Sequence, residues 1–151
     1  MRTTLYQLEL NQDEVNCGAS HVIQLQSGNF IVLDGGYFTA GEEDRLCRFL
    51  EERSIGAPMI TAWYFSHAHQ DHVGNFIQFM RKHGSKVQIQ RRLFSFHPMN
   101  LSNVTGDWKS SDPATVRAFY ETVEVYCADV EKVKIHKGDQ FAFEELTLDV
   151  L

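Results

Sequence analysis

Residues 59–65 form a nearly continuous apolar run, Met-Ile-Thr-Ala-Trp-Tyr-Phe, bounded by Pro58 and Ser66. It lacks the strict alternation of a half-solvated strand and has the pattern of a β-strand buried on both faces. A chain with such a strand must cover its sheet above and below, which favours a mixed α/β architecture layered with helices. Directly behind the run stands a polar cluster, Ser66-His67-Ala68-His69-Gln70-Asp71-His72.

The flanking segments fit the same reading. Residues 5–10 alternate apolar and polar side chains, and 21–25 and 30–33 repeat the habit around Ser27-Gly28-Asn29, so a meander of short strands is expected. Over 41–53 the period becomes helical: Leu46, Cys47 and Leu50 share a face, and Glu42, Glu43 and Asp44 stand where a helix N-terminus favours negative charge. This helix should end near Ser54-Ile55-Gly56. Val73, Phe76, Ile77 and Met80 predict a second helix over 73–83, with Gly84 as its stop. Residues 86–96 read as a strand and 100–111 as a polar loop, while Asp112-Pro113 opens a third helix along Val116, Phe119, Tyr120 and Val123. Residues 140–143 and 146–150 alternate as a hairpin around Glu144-Glu145. The predicted order is several strands, then helix, strand, helix, strand, helix and hairpin, in a single α/β domain over 1–151 without repeats or linker-like tracts.

Three histidines and one aspartate lie within 67–72, and imidazole nitrogen with carboxylate oxygen is the donor set that zinc and similar divalent cations prefer. The spacing restricts the backbone. In a helix, residues 67 and 69 would point about 200° apart, and in a continued strand His72 would face away from the other three. A loop that curls after the strand lets all four side chains converge, and the expected strand-to-helix junction provides it. Uncharged imidazoles crowded at one junction gain little from each other; a shared cation gives them a common partner.

Composition narrows the functional classes. A hydrophobic fraction of 43% with 12% aromatic residues is that of a packed globular chain, not a disordered one. The formal net charge of -6 works against a broad grip on nucleic acid, although a metal centre could still draw an anionic substrate. One basic group, Arg81, Lys82, Lys86, Arg91 and Arg92, reads as solvated helix-end and strand-edge charge. Cys17, Cys47 and Cys127 are odd in number and widely spaced, so they read as reduced, mostly buried thiols. Neither the start nor any later stretch holds the apolar run that a signal peptide or a spanning helix needs, which predicts a cytoplasmic protein without a membrane partner.

The stretch from Ser66 to Gly74, Ser-His-Ala-His-Gln-Asp-His-Val-Gly, resembles the HxHxDH signature of the metallo-β-lactamase superfamily. Ile31-Val32-Leu33-Asp34-Gly35-Gly36 is similar to the family's strand ending in an Asp-Gly turn. Gly138-Asp139 with Leu146-Thr147-Leu148-Asp149-Val150-Leu151 is similar to its hairpin before the next ligand loop. The resemblance implies the N-terminal half of an αββα sandwich with metals at one edge of the paired sheets. It implies that His67 and His69 bind a first zinc ion and that Asp71 and His72 belong to a second, with Asp71 a catalytic proton acceptor when that second site is empty. Asp34 either steadies the ligand loop or simply forms its turn. The implied activity is metal-assisted hydrolysis of an ester, amide, thioester, lactone or phosphodiester, with a small-molecule or phosphodiester substrate.

The family's remaining ligands, a histidine, a bridging aspartate and a last histidine, would fall after Leu151. With two donors per site, zinc should be held weakly or not at all by this chain, and hydrolysis should be impaired. Apolar surface left by a half-domain would favour a homodimer. His21, His97 and His136, the last in an expected strand, stand outside any matched motif and read as ordinary core or surface histidines. An oxidoreductase of the flavo-diiron kind, which shares the fold, is disfavoured because His69 stands where that class has glutamate. A non-catalytic metal-binding or interaction module is the alternative to the hydrolase.

Overall fold

A computed structural model of the chain describes residues 2–8, 19–96, 107 and 112–151. Strands β1 (Thr4–Gln7), β2 (His21–Gln24) and β3 (Phe30–Leu33) form an antiparallel meander, in which Leu5 faces Ile23 and Val22 faces Val32. Gly28, at φ 93°, turns the chain between β2 and β3, a conformation that costs glycine little. After helix α1 (Glu42–Glu52), β4 (Met59–Tyr64) adds parallel to β3, and helix α2 (Gln70–His83) leads to β5 (Gln88–Ile89) and β6 (Arg91–Phe94), both parallel to β4. Helix α3 (Asp112–Tyr126) then leads to β7 (Glu131–Lys134), parallel to β6. The hairpin of β8 (Gln140–Phe143) and β9 (Leu146–Asp149) forms a separate two-stranded sheet.

The large sheet grows in one direction, β1-β2-β3-β4-β6-β7. Successive right-handed crossovers in one direction place their helices on the same face, and all three helices do pack there. Val22, Phe30, Val32, Ile60, Trp63, Phe65 and Phe94 meet helical residues such as Leu46, Leu50, Phe76, Phe79 and Phe119 in the main core. On the other face Ile23, Ile31, Ala62 and Leu93 pack with Phe143, and Phe141, Leu146 and Leu148 of the hairpin lie against them. The result is a helix layer, a large sheet and a two-stranded second sheet. β4 is covered on both faces, as its apolar run predicts.

A β-bulge in β4 changes the pleat phase. Phe30 pairs with Ile60 but Ile31 pairs with Ala62, so Thr61 is the extra residue. Ile60 and Trp63 can therefore both face the helices despite their odd separation, and Phe65 follows Trp63 onto that side.

Several expectations need correction. The second helix begins at Gln70, not at residue 73, so Asp71 and His72 occupy its first turn. Gly84 is right-handed, at φ -54°, and leads into a 3-10 turn (Gly84–Lys86) rather than stopping the helix in a left-handed conformation. The strand expected over 86–96 is broken into β5 and β6, with Gln90 between them. β7 stands earlier than the strand expected around His136, whose bounds the charged residues Glu131, Lys132 and Lys134 obscure. His136 lies beyond β7, not within a strand. Cys47 and Cys127 are buried free thiols, while Cys17, His97 and nearly all of the loop expected over 100–111 lie outside the described residues.

Candidate metal centre

Two neighbouring strand ends position the site. β3 and β4 run parallel and end together, Leu33 beside Tyr64, so Asp34 and Ser66 emerge at the same edge. Asp34 takes φ 55°, a left-handed conformation that Asp tolerates better than most residues. It thereby forms the turn and also aims its carboxylate at the next strand's loop. That carboxylate accepts from the Ser66 backbone N–H at 2.8 Å and from the Ser66 hydroxyl, and it lies 2.9 Å from His72 Nδ1. Its own carbonyl accepts from the buried indole N–H of Trp63 at 3.0 Å, tying the turn to the core.

Close packing fixes helix α2 against this edge. Gly35 donates its N–H to the His72 carbonyl at 2.6 Å, and Asn75 donates to the Gly36 carbonyl at 2.9 Å. A Cβ on Gly35 would come within 2.8 Å of the Phe76 backbone nitrogen, so only glycine allows this approach. His69 caps the helix in an extended conformation, and Asp71 places negative charge in its first turn.

The side chains meet at the strand–loop–helix junction. Donor atoms of His67, His69 and Asp71 all lie within 4.8 Å of one another, a set able to hold a metal ion. The fourth motif residue stands beside them: His72 Nε2 is 3.4 Å from the Asp71 carboxylate, and its ring centroid is 3.8 Å from that of His67. Convergence thus uses a short loop plus the first helical turn, rather than the loop alone that sequence reasoning expects.

Hydrogen bonding settles which imidazole nitrogens are free. A carboxylate can only accept, so His72 donates its Nδ1–H to Asp34, and Nε2 is the nitrogen turned toward Asp71. The Ser66 hydroxyl has one proton, which goes to Asp34; its oxygen, 3.0 Å from His67 Nδ1, then accepts from that ring and leaves His67 Nε2 unprotonated. Burial, followed by the neighbouring His72 and His69 rings, holds the His67 pKa below the usual histidine range. This lowering favours the neutral His67 ring that a cation requires. The donor set and its supporting contacts fit a divalent metal.

Two residues of the site carry no sequence signal. Ser66 is the hub between Asp34, His67 and His72, but a lone serine after a strand is unremarkable in sequence. Asp112, at the start of α3, brings its carboxylate to 3.9 Å from His69 Nε2 across the junction. Most of the basic group is exposed, as expected, and three of its members also form surface ion pairs: Lys82 with Glu43 and Asp44, Lys86 with Glu51, and Arg91 with Glu131. Among the described residues no helix is long and apolar enough to cross a membrane.

Comparison with known proteins agrees with the fold. The family model of the Metallo-beta-lactamase superfamily matches residues 17–140. No curated protein sequence matches the chain. Among solved structures, a protein of Thermotoga maritima described as a metallo-beta-lactamase is similar over 94% of this chain and 63% of its own, with TM-score 0.54 and 15% identity. A motif mutant of the metallo-beta-lactamase from Cronobacter sakazakii is similar over 88% of this chain and 46% of its own, with TM-score 0.52 and 17% identity. A hydrolase in the beta-lactamase superfamily is similar over 81% and 44%, with TM-score 0.50 and 14% identity. The chain thus spans between 44% and 63% of the length of these three structures. Matched by the family model over most of its length and sharing the fold of these structures, the chain belongs to the metallo-β-lactamase superfamily.

Proposed function

We propose that the protein is a metal-dependent hydrolase and that zinc is its ion. The observation that carries this reading is the convergence of His67, His69 and Asp71 donors at one point, with His72 beside them. Nitrogen and carboxylate donors suit zinc. When bound there, a divalent cation supplies a Lewis acid that activates water and polarises the bond to be cleaved.

The chain's own residues do the remaining work. His67 and His69 would hold the ion through their ring nitrogens. Asp34 and Ser66 keep the rings of His67 and His72 turned with Nε2 outward. Asp71, one-third exposed, stands where a carboxylate can either ligate or accept a proton from water. Three donors leave coordination positions open, as catalysis needs; a closed four-ligand site would be structural. The substrates in view are esters, thioesters, lactones and phosphodiesters, in a cytoplasmic setting.

The test is zinc titration of the full chain against a chelating dye, followed by assays on those four substrate types with and without EDTA. Zinc binding that His67→Ala and His69→Ala abolish, with EDTA-sensitive turnover of one substrate type, is the expected result. Binding unaffected by both variants would overturn the reading. Zinc bound without turnover of any substrate would leave a metal-binding module.

A further inference from the structure

Beside the metal centre lies a pocket of about 320 Å³, near the lower end of the roughly 300–1,000 Å³ range of small-molecule sites. Ala68, Phe96, Pro113 and Val116 form its apolar wall. His67 and His69, two of the three converging donors, form one edge, with Asp112 next to them. Three separate elements meet here: the ligand loop after β4, the segment just past β6, and the first two turns of α3. The wall is fixed by packing. Ala68 and Val116 are buried, Phe96 stacks on buried Phe94 at 4.8 Å, and Tyr120 donates its hydroxyl to the Phe96 carbonyl at 2.9 Å.

A group held in this pocket must be apolar, because its wall offers nothing to replace the hydration of a polar or charged substituent. It must also be neutral, because the Asp112 carboxylate at the edge repels an anion in the same space. Its reacting atom would sit at His67 and His69. We infer that the pocket is the acyl-group subsite of the hydrolase and that it takes a neutral aliphatic or single-ring acyl group of an ester, thioester or lactone. This rests on the proposed function and narrows it: a phosphodiester or polyanionic substrate would set its charge against Asp112 and its polar groups against an apolar wall.

The experiment uses the full chain with saturating zinc and straight-chain hydroxamic acids from acetohydroxamic to octanohydroxamic acid. Affinity should rise about fourfold per added methylene until the pocket is filled, the increment expected for burying a CH₂ group. Val116→Phe, which occupies the pocket, should flatten that rise. Succinic monohydroxamic acid should bind more weakly than its neutral counterpart of similar length, and Asp112→Asn should narrow the gap. A second measurement needs no metal: in protein stripped with EDTA, 1-hexanol should shift the methyl NMR signals of Ala68 and Val116 in wild type.

Hydroxamates that all bind equally, with no methyl shift from 1-hexanol, would overturn the subsite and leave the metal centre standing. Failure of zinc itself to bind would overturn the proposed function, and the 1-hexanol shifts would still decide for or against the apolar pocket.

Discussion

Asp34 and His72 lie thirty-eight positions apart in the chain, yet the Asp34 carboxylate stands 2.9 Å from His72 Nδ1. The contact exists because β3 and β4 are parallel and in register at their ends, and because α2 is pressed onto the Asp34-Gly35-Gly36 turn. Asp34 is 10% exposed at its side chain and His72 is 19% exposed, so the pair is partly shielded from water. Replacing Asp34 with Ala leaves the Ser66 and His72 donors without their acceptor. Stability should fall by about 1–3 kcal/mol, measured by urea unfolding. Zinc affinity should fall roughly 10–100-fold, measured by dye competition, because the ring of His72 is no longer held. Unchanged zinc affinity in Asp34→Ala would show that Asp34 serves only the turn.

Gly35→Ala tests the close approach of α2. A methyl there would meet the Phe76 backbone nitrogen at 2.8 Å, and backbone cannot rotate away. The helix has to shift from the strand edge, carrying Asp71 and His72 with it. A loss of about 1–3 kcal/mol is expected from overpacking, together with weaker zinc binding. A Tm equal to wild type would contradict the packing described.

Trp63→Phe keeps most of the core volume but removes the indole N–H that bonds the Asp34 carbonyl at 3.0 Å. Trp63 is fully buried and touches Phe65, Phe76 and Phe79. The unsatisfied carbonyl should lower stability by about 1–3 kcal/mol in urea titrations. Trp63→Ala, which also opens a cavity, should cost about 3–5 kcal/mol.

The α1–α2 seam predicts a pH dependence. Hydrogen bonds from Lys82 and then His83 hold the Asp44 pKa below its ordinary 3.8. A carboxylate whose folded pKa is depressed contributes stability above its unfolded value and loses it as pH falls through the folded one. Wild type should therefore exceed Asp44→Asn in Tm at neutral pH, and the gap should close below pH 3.8. The Lys82 pKa is raised by its hydrogen bonds to Asp44 and then Glu43, so its contribution is present below 10.5 and lost at higher pH. The seam lies at charged surface residues, so both effects should shrink as salt rises. A gap that does not narrow on acidification would mean that Asp44 acts through something other than its charge.

Local pattern made much of this protein legible. The apolar run of β4, the helical periods of α1, α2 and α3, and the alternation of β8 and β9 are each written in neighbouring side chains, because burial selects residue types at the period of the element. The donor cluster at 67–72 is legible for a similar reason: four ligand-type side chains so close in sequence need a common partner. The bounds of β7 were not legible: the strand expected around His136 lies earlier, because Glu131, Lys132 and Lys134 give no apolar period and β6 offers an edge to pair with. Nor was the start of α2, since His69, Gln70, Asp71 and His72 carry no strong helix signal and are drawn into the first turn by Gly35 and Gly36.

The sequence by itself determined the layered α/β class and the residues that converge on the candidate site, because both depend on what neighbours along the chain can do. Tertiary structure decided the rest. The bulge at Thr61, the hub at Ser66, the contact of Asp34 with His72 and the approach of Asp112 to His69 all join residues through register and crossover geometry. Such contacts are set by how strands pair and how helices return across a sheet. Distance along the chain carries no trace of them.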